Sequence, residues 1–196
     1  MEQITVNETA AELLTLLGLA SNQITDPLNV LGLVDSKYLR DLKMNVKTVL
    51  KGEMLSDKEI SLLAYGACIN EKSDTLAQFF KNRSTEHGAS PEELSEVVSC
   101  TSLLSSNNVF YRFRHFTGKE EYQQVSARLR MSIMMNPVMG KEFFELISLA
   151  ISAINGCEAC VNSHEESLRA LGTDPKRIFE AVRLVSVIIS LNKVIP

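Results

Sequence analysis

The chain has 196 residues, a formal charge of −4, and 45% hydrophobic against 22% charged residues. That length suits a single domain able to bury a sizeable core. The composition excludes a disordered polar chain and a membrane protein, and the acidic balance without a long basic run argues against a nucleic-acid partner.

The N-terminal Met-Glu-Gln-Ile-Thr-Val-Asn-Glu has no basic region, and the apolar run over residues 11–20 is broken by Glu12 and Thr15. No secretory signal is expected. No apolar stretch approaches the roughly 18 residues that suggest a membrane span. The expectation is a soluble, cytoplasmic protein. In a reducing compartment its four cysteines do not predict a structural disulfide framework, so a closely spaced pair points to redox or metal chemistry.

In chain order, Asn7 caps a helix over residues 8–19, Asp26-Pro27 opens a short second one, and Ser36 starts an amphipathic run to about Leu50. Ser56-Asp-Lys-Glu59 is a capping box, in which serine and glutamate each satisfy an orphan backbone donor. Ser90-Pro-Glu-Glu93 is another, with proline at the first helical position, and Asp174-Pro175 marks a further start. No alternating strand pattern of useful length occurs, so the fold class is all-α.

Shifted by 86 positions, Leu63-Ala-Tyr-Gly-Ala-Cys-Ile-Asn70 falls on Leu149-Ala-Ile-Ser-Ala-Ile-Asn-Gly156, and Glu59 on Glu145. After a change of two in the offset, Gly88-Ala-Ser-Pro-Glu-Glu-Leu-Ser-Glu96 falls on Gly172-Thr-Asp-Pro-Lys-Arg-Ile-Phe-Glu180. This weak internal repeat predicts two similar helical units, about 59–100 and 145–186, packed on one core. They lie in a domain of residues 36–196 preceded by a helical extension, residues 1–35, for which covering a neighbouring subunit is one expected role. Where the second unit has Cys157, Cys160 and His164, the first has Glu71, Asp74 and Gln78. A scaffold requirement would recur in both copies, whereas chemistry can be confined to one.

Asn155-Gly156 suits a left-handed helix end, so a new helix should begin near Cys157. Cys157, Cys160 and His164 are then spaced i, i+3 and i+7 and share one stripe. A thiol in the first turn of a helix meets unpaired N–H groups and the positive end of the dipole, which favour the thiolate, and His164 can accept its proton. Glu145 precedes Gly156 by about as many residues as His164 follows it, so a hairpin could bring the carboxylate to the imidazole, the base-and-orienter arrangement of activated nucleophiles. Other readings stay open. Glu145 can be a surface residue kept, like Glu59, for helix capping. A Cys₂His zinc site would need a fourth ligand, and His87 and His115 lie at no metal spacing. Cys68 and Cys100 read as buried small hydrophobes. Met131-Ser-Ile-Met-Met135 reads as core filling, and Arg112-Phe-Arg-His115 with Lys119 as an ion-paired face or an anion site.

Three stretches carry a resemblance. Phe-Glu-Leu-Ile-Ser-Leu-Ala-Ile-Ser-Ala-Ile-Asn-Gly-Cys-Glu-Ala-Cys-Val-Asn-Ser-His-Glu over 144–165, Asn107-Asn-Val-Phe-Tyr-Arg-Phe-Arg-His115 and Leu129-Arg-Met-Ser-Ile-Met-Met-Asn-Pro137 resemble, in that order, segments of the alkyl hydroperoxide reductase D family of the carboxymuconolactone decarboxylase-like superfamily. The likeness runs over roughly residues 36–192. It implies an all-helical homotrimer with thiol peroxidase and disulfide reductase activity and no tightly bound cofactor. Electrons would pass from a dihydrolipoyl group on a lipoylated 2-oxoacid dehydrogenase component to this chain, and on to an AhpC-type peroxiredoxin or to alkyl hydroperoxides. By position, the resemblance makes Cys160 the thiolate that attacks peroxide, makes Cys157 the partner that closes the disulfide and exchanges with other proteins, and makes Glu145 and His164 the proton relay. Ala159 stands where that family commonly has a histidine, which weakens the expectation of direct peroxidase activity more than that of dithiol exchange. Glu158 beside the pair opposes thiolate formation modestly. A decarboxylase of the wider superfamily, or a non-catalytic helical module, are the rival readings.

Overall fold

The computed structural model of the protein describes residues 7–20 and 23–195. Among these, all regular structure is helical. Helix α1 (Glu8–Leu16) is capped by Asn7, whose side chain accepts from the Ala10 N–H at 3.2 Å. It stops before the predicted residue 19 because Gly18 turns the chain at a φ of +64°. Helix α2 (Asp26–Leu33) takes its cap from Thr25, one residue before the expected start, and α3 (Lys37–Val49) follows Ser36.

Both capping boxes form, at the start of α4 (Asp57–Glu71) and of α6 (Pro91–Thr117), with α5 (Asp74–Glu86) between them. After the short α7 (Glu120–Gln124), the chain to residue 140 holds a single 3-10 turn, Ser132–Met134. Then come α8 (Lys141–Ile154), α9 (Glu158–Ala170) and α10 (Pro175–Asn192).

Helices α4 and α8 form the centre. Ile60 through Cys68 and Phe143 through Ser152 are buried without a break, the mark of helices enclosed on all sides. Gly66 makes the close packing possible, since a Cβ there would stand 3.3 Å from Val97 and 3.4 Å from Thr101 on α6. Leu13, Leu14, Leu17 and Leu28 are wholly buried in the same core as Leu39, Leu42 and Val46. The apolar residues of the N-terminal segment thus serve first this chain's own core, at about 1.5–3 kcal/mol for each large side chain fully buried.

In chain order α4–α5–α6 is followed, beyond α7, by α8–α9–α10, and two glutamates bind between these stretches. Glu180 on α10 accepts from the consecutive N–H groups of Glu53 and Met54, each at 3.0 Å, just ahead of α4. Glu96 on α6 accepts in the same way from Val138 and Met139, each at 2.8 Å, just ahead of α8. Thus α10 anchors the chain entering α4, and α6 the chain entering α8. Arg177 adds a second tie, reaching Glu59 of α4, Glu142 of α8 and the Met54 carbonyl.

Candidate active site

The hairpin between α8 and α9 is shaped by backbone conformation first. Gly156 has a φ of +66°, a region open to glycine at little cost. Its N–H returns to the Ala153 carbonyl at 3.1 Å, and the Cys157 N–H to Ser152 at 3.0 Å, closing the end of α8. Neighbouring helices then grip the turn through Asn155. Its Oδ1 accepts from Asn70 of α4 at 3.0 Å, its Nδ2 donates to Asn108 of α6 at 2.9 Å, and its backbone carbonyl accepts from Arg112. Asn108 also donates to Ser152 at 2.9 Å.

This turn delivers Cys157 to the N-cap of α9 and Cys160 to its third residue. The two sulfurs are joined as a disulfide with their Cα atoms 5.3 Å apart. No side chain caps α9, so its first N–H groups stay available to stabilise negative charge on a sulfur. Cys157 is wholly enclosed, and Cys160 is 8% exposed.

One turn further along, His164 Nδ1 lies 2.6 Å from Glu145 Oε2, and the second carboxylate oxygen lies 2.6 Å from Lys141 Nζ. Burial alone would push the Glu145 carboxyl up, but the bonds from His164 and Lys141 outweigh it and hold it below the ordinary value. Glu145 is 3% exposed and is the fifth residue of a helix capped by Gly140. The surface or capping reading of this residue is corrected: it points inward, to the imidazole. A carboxylate on Nδ1 selects the tautomer whose Nε2 can accept a proton.

Cys160 and His164 open on one cavity of about 260 Å³, lined also by Leu104, Asn107, Tyr111 and Ala159, and by Met131 and Met134. The core-filling reading of the methionine run holds only in part: Ile133 and Met134 pack against the core, while Met131 and Met134 also wall the cavity. The run's residues are half-buried or exposed, and the 3-10 turn with the residue before it carries the thioethers of Met134 and Met131 to the cavity, with Asn107 Nδ2 3.1 Å from Met131 Sδ. Sequence reasoning missed Leu104, Asn107 and Tyr111 as site residues, although their i, i+3, i+7 spacing on α6 repeats that of Cys157, Cys160 and His164. The quoted Asn107–His115 stretch serves the site with two faces. Asn107 and Tyr111 line the cavity, while Asn108 and Arg112 hold the turn.

The remaining candidates fall elsewhere. Cys68 and Cys100 are fully enclosed, and burial pushes both thiols up to about 12, which makes them inert at neutral pH. In the basic cluster, Arg114 stacks on Phe110 at 4.7 Å, and His115 lies 3.4 Å from Glu158. Among the described residues, no group of three His, Cys, Asp or Glu side chains is placed to hold a metal, and no helix is long and apolar enough to cross a membrane.

The pattern of the carboxymuconolactone decarboxylase family matches residues 120–193. A protein named alkyl hydroperoxide reductase AhpD from Anaeromyxobacter sp. strain K is 36% identical over 152 residues, covering 76% of this chain and 80% of that one. Proteins of the same name from Azorhizobium caulinodans, 34% identical over 153 residues, and Streptomyces coelicolor, 36% over 151, cover 78% and 77% of this chain and 84% of their own lengths. Among solved structures, one named as a gamma-carboxymuconolactone decarboxylase subunit from Burkholderia xenovorans LB400 superposes with a TM-score of 0.65 over 94% of this chain and 92% of that one, at 16% identity. That likeness is one of fold.

Proposed function

The chain belongs to the alkyl hydroperoxide reductase D group of the carboxymuconolactone decarboxylase family, and from that premise we propose that it is a cytoplasmic dithiol oxidoreductase that uses Cys157 and Cys160. It would pass electrons from dihydrolipoyl groups to an AhpC-type peroxiredoxin, and to alkyl hydroperoxides directly. The observation that carries this reading is the shared cavity, where the more accessible sulfur and the imidazole held by Glu145 face the same small volume.

In the peroxidase step, the Cys160 thiolate attacks the terminal oxygen of a hydroperoxide. An S–O bond forms, the O–O bond breaks, and the departing alkoxide takes a proton from the His164 imidazolium to leave as an alcohol. The Cys157 thiol then attacks Cys160 sulfur, forming the disulfide and releasing water. Two electrons have moved from the sulfur pair to the peroxide.

Reset reverses the sulfur chemistry. A dihydrolipoyl thiolate attacks the disulfide, and its second thiol displaces the mixed disulfide, leaving a lipoyl disulfide and two cysteine thiols. The resemblance assigns partner exchange to Cys157. Because that sulfur is wholly buried and off the cavity, we place the attack at Cys160. Cys157 is then the leaving thiolate, at a helix start whose free N–H groups lower the cost of its charge. The apolar lining by Leu104, Met131, Met134 and Ala159 suits the aliphatic part of either substrate. A homotrimer fits the exposed Val109, Phe113 and Phe116 along α6.

Titrating the oxidised protein with dihydrolipoamide tests the reset step. Two new thiols per chain are expected, with Cys160 the one first trapped in a mixed disulfide. A disulfide untouched by excess dihydrolipoamide contradicts the proposal.

A further inference from the structure

The carboxylate behind His164 has a second partner. Lys141 Nζ lies 2.6 Å from Glu145 Oε1 and 3.3 Å from the backbone carbonyl of Met134, the residue whose side chain helps line the cavity. Helix energetics do not account for this lysine. It is the first residue of α8, where a cation meets the positive end of the helix dipole. It also precedes its glutamate by four residues, the less favourable order for such a pair, which in any order contributes only a few tenths of a kcal/mol. The Lys141 side chain is 46% exposed, yet its head is drawn onto a carboxylate that is 4% exposed.

We propose that Lys141 is a positioning residue of this site, its ammonium holding Glu145 ionised and aimed at His164 and tying both to the turn that covers Cys160. The inference rests on the dithiol reading above and extends it to a third charged residue. The charges around Glu145 can be counted by element. Helix α8 supplies Lys141, and Glu142, which is engaged by Arg177; α9 supplies His164; α6 supplies Glu96, engaged by the Val138 and Met139 N–H groups. At the start of α9, Glu158 pairs with His115. Beside His164, Lys141 is thus the second cationic partner that holds Glu145 ionised.

A fixed positive charge favours the deprotonated forms of its neighbours. Replacing Lys141 by an uncharged residue removes that help, so the cavity thiol should lose its proton at a higher pH. Arginine keeps the charge and should keep the effect. A lysine that served only helix packing would leave the titration unmoved.

The test is the pH dependence of iodoacetamide alkylation at Cys160 in the reduced full-length protein, read by mass spectrometry of the peptide. Lys141→Met and Lys141→Gln are expected to raise the midpoint by about half a pH unit or more, and Lys141→Arg to stay near the parent protein. A Lys141→Met midpoint equal to the parent's, in protein of unchanged helicity, overturns the proposal, and so do equal shifts in the Met and Arg variants. If Cys160 of the parent protein itself titrates as an ordinary thiol near about 8.5, the dithiol reading fails and the role of Lys141 falls with it. A depressed parent midpoint that ignores Lys141 removes the lysine's role alone.

Discussion

Glu145 and His164 are 19 residues apart in sequence and 2.6 Å apart in space, joined across a hairpin whose turn is gripped from α4 and α6. Because the carboxylate selects the ring tautomer, changing either residue should damage proton transfer without displacing the sulfurs. His164→Gln and Glu145→Gln are each expected to lower dihydrolipoamide-dependent turnover by on the order of 10² near neutral pH. Raising the pH should recover much of the loss in His164→Gln, since the thiol then ionises unaided. A flat pH profile at the parent rate contradicts the role.

The two sulfurs should behave differently. Cys160→Ser should abolish both peroxide and disulfide chemistry. Cys157→Ser should still attack once, giving a sulfenic acid or a trapped mixed disulfide at Cys160, but should not turn over. Intact-mass measurement after one equivalent of cumene hydroperoxide separates them. An adduct of +16 Da (about one oxygen) on Cys160 is expected only in the Cys157→Ser protein, and its appearance in Cys160→Ser would reverse the assignment.

Ala159 faces the cavity, and a histidine there would narrow it. Ala159→His is expected to slow cumene hydroperoxide reduction relative to hydrogen peroxide, and to raise the hydrogen peroxide rate by supplying a second proton carrier. Parallel steady-state assays with the two peroxides measure the ratio. An unchanged ratio would show that position 159 does not shape substrate choice.

Arg177 ties α10 to both central helices through Glu59 and Glu142. Arg177→Met leaves the Glu59 and Glu142 carboxylates without their shared partner, at a cost of about 2 kcal/mol, below the roughly 3–5 kcal/mol of fully buried pairs because this group is partly open to water. Urea unfolding measures it. Glu59 and Glu145 are both held below the ordinary value of 4.5 by their partners, against the opposing pull of burial. Their contribution is present above that value and lost as pH falls through the lower folded values. Acid unfolding below about pH 4.5 should therefore be less steep in Arg177→Met than in the parent.

The caps were legible because they are local. Ser56, Ser90 and Asp174 each meet their partner within three residues, so spacing alone reveals them. The alignment of Cys157, Cys160 and His164 on one stripe of α9 was legible for the same reason, and the reach of Glu145 followed from counting along a hairpin. What the sequence hid depends on contacts between distant elements. The Met131–Met135 run reads as core by composition, and only its position over α6 and α9 makes it a cavity wall. Lys141 looks like any helix-surface lysine until the carboxylate four residues on is found buried. Likewise, the pairing of Glu96 with Val138 and Met139, and of Glu180 with Glu53 and Met54, joins residues at least 42 positions apart, beyond the range of any periodicity.

The most direct test is lipoamide-dependent reduction of cumene hydroperoxide by the parent protein and by Cys160→Ser, each with and without an added AhpC-type peroxiredoxin. The parent should catalyse the reaction in both settings and faster with the peroxiredoxin, while Cys160→Ser should fall to the uncatalysed rate in both. Turnover by Cys160→Ser at the parent rate would contradict the account.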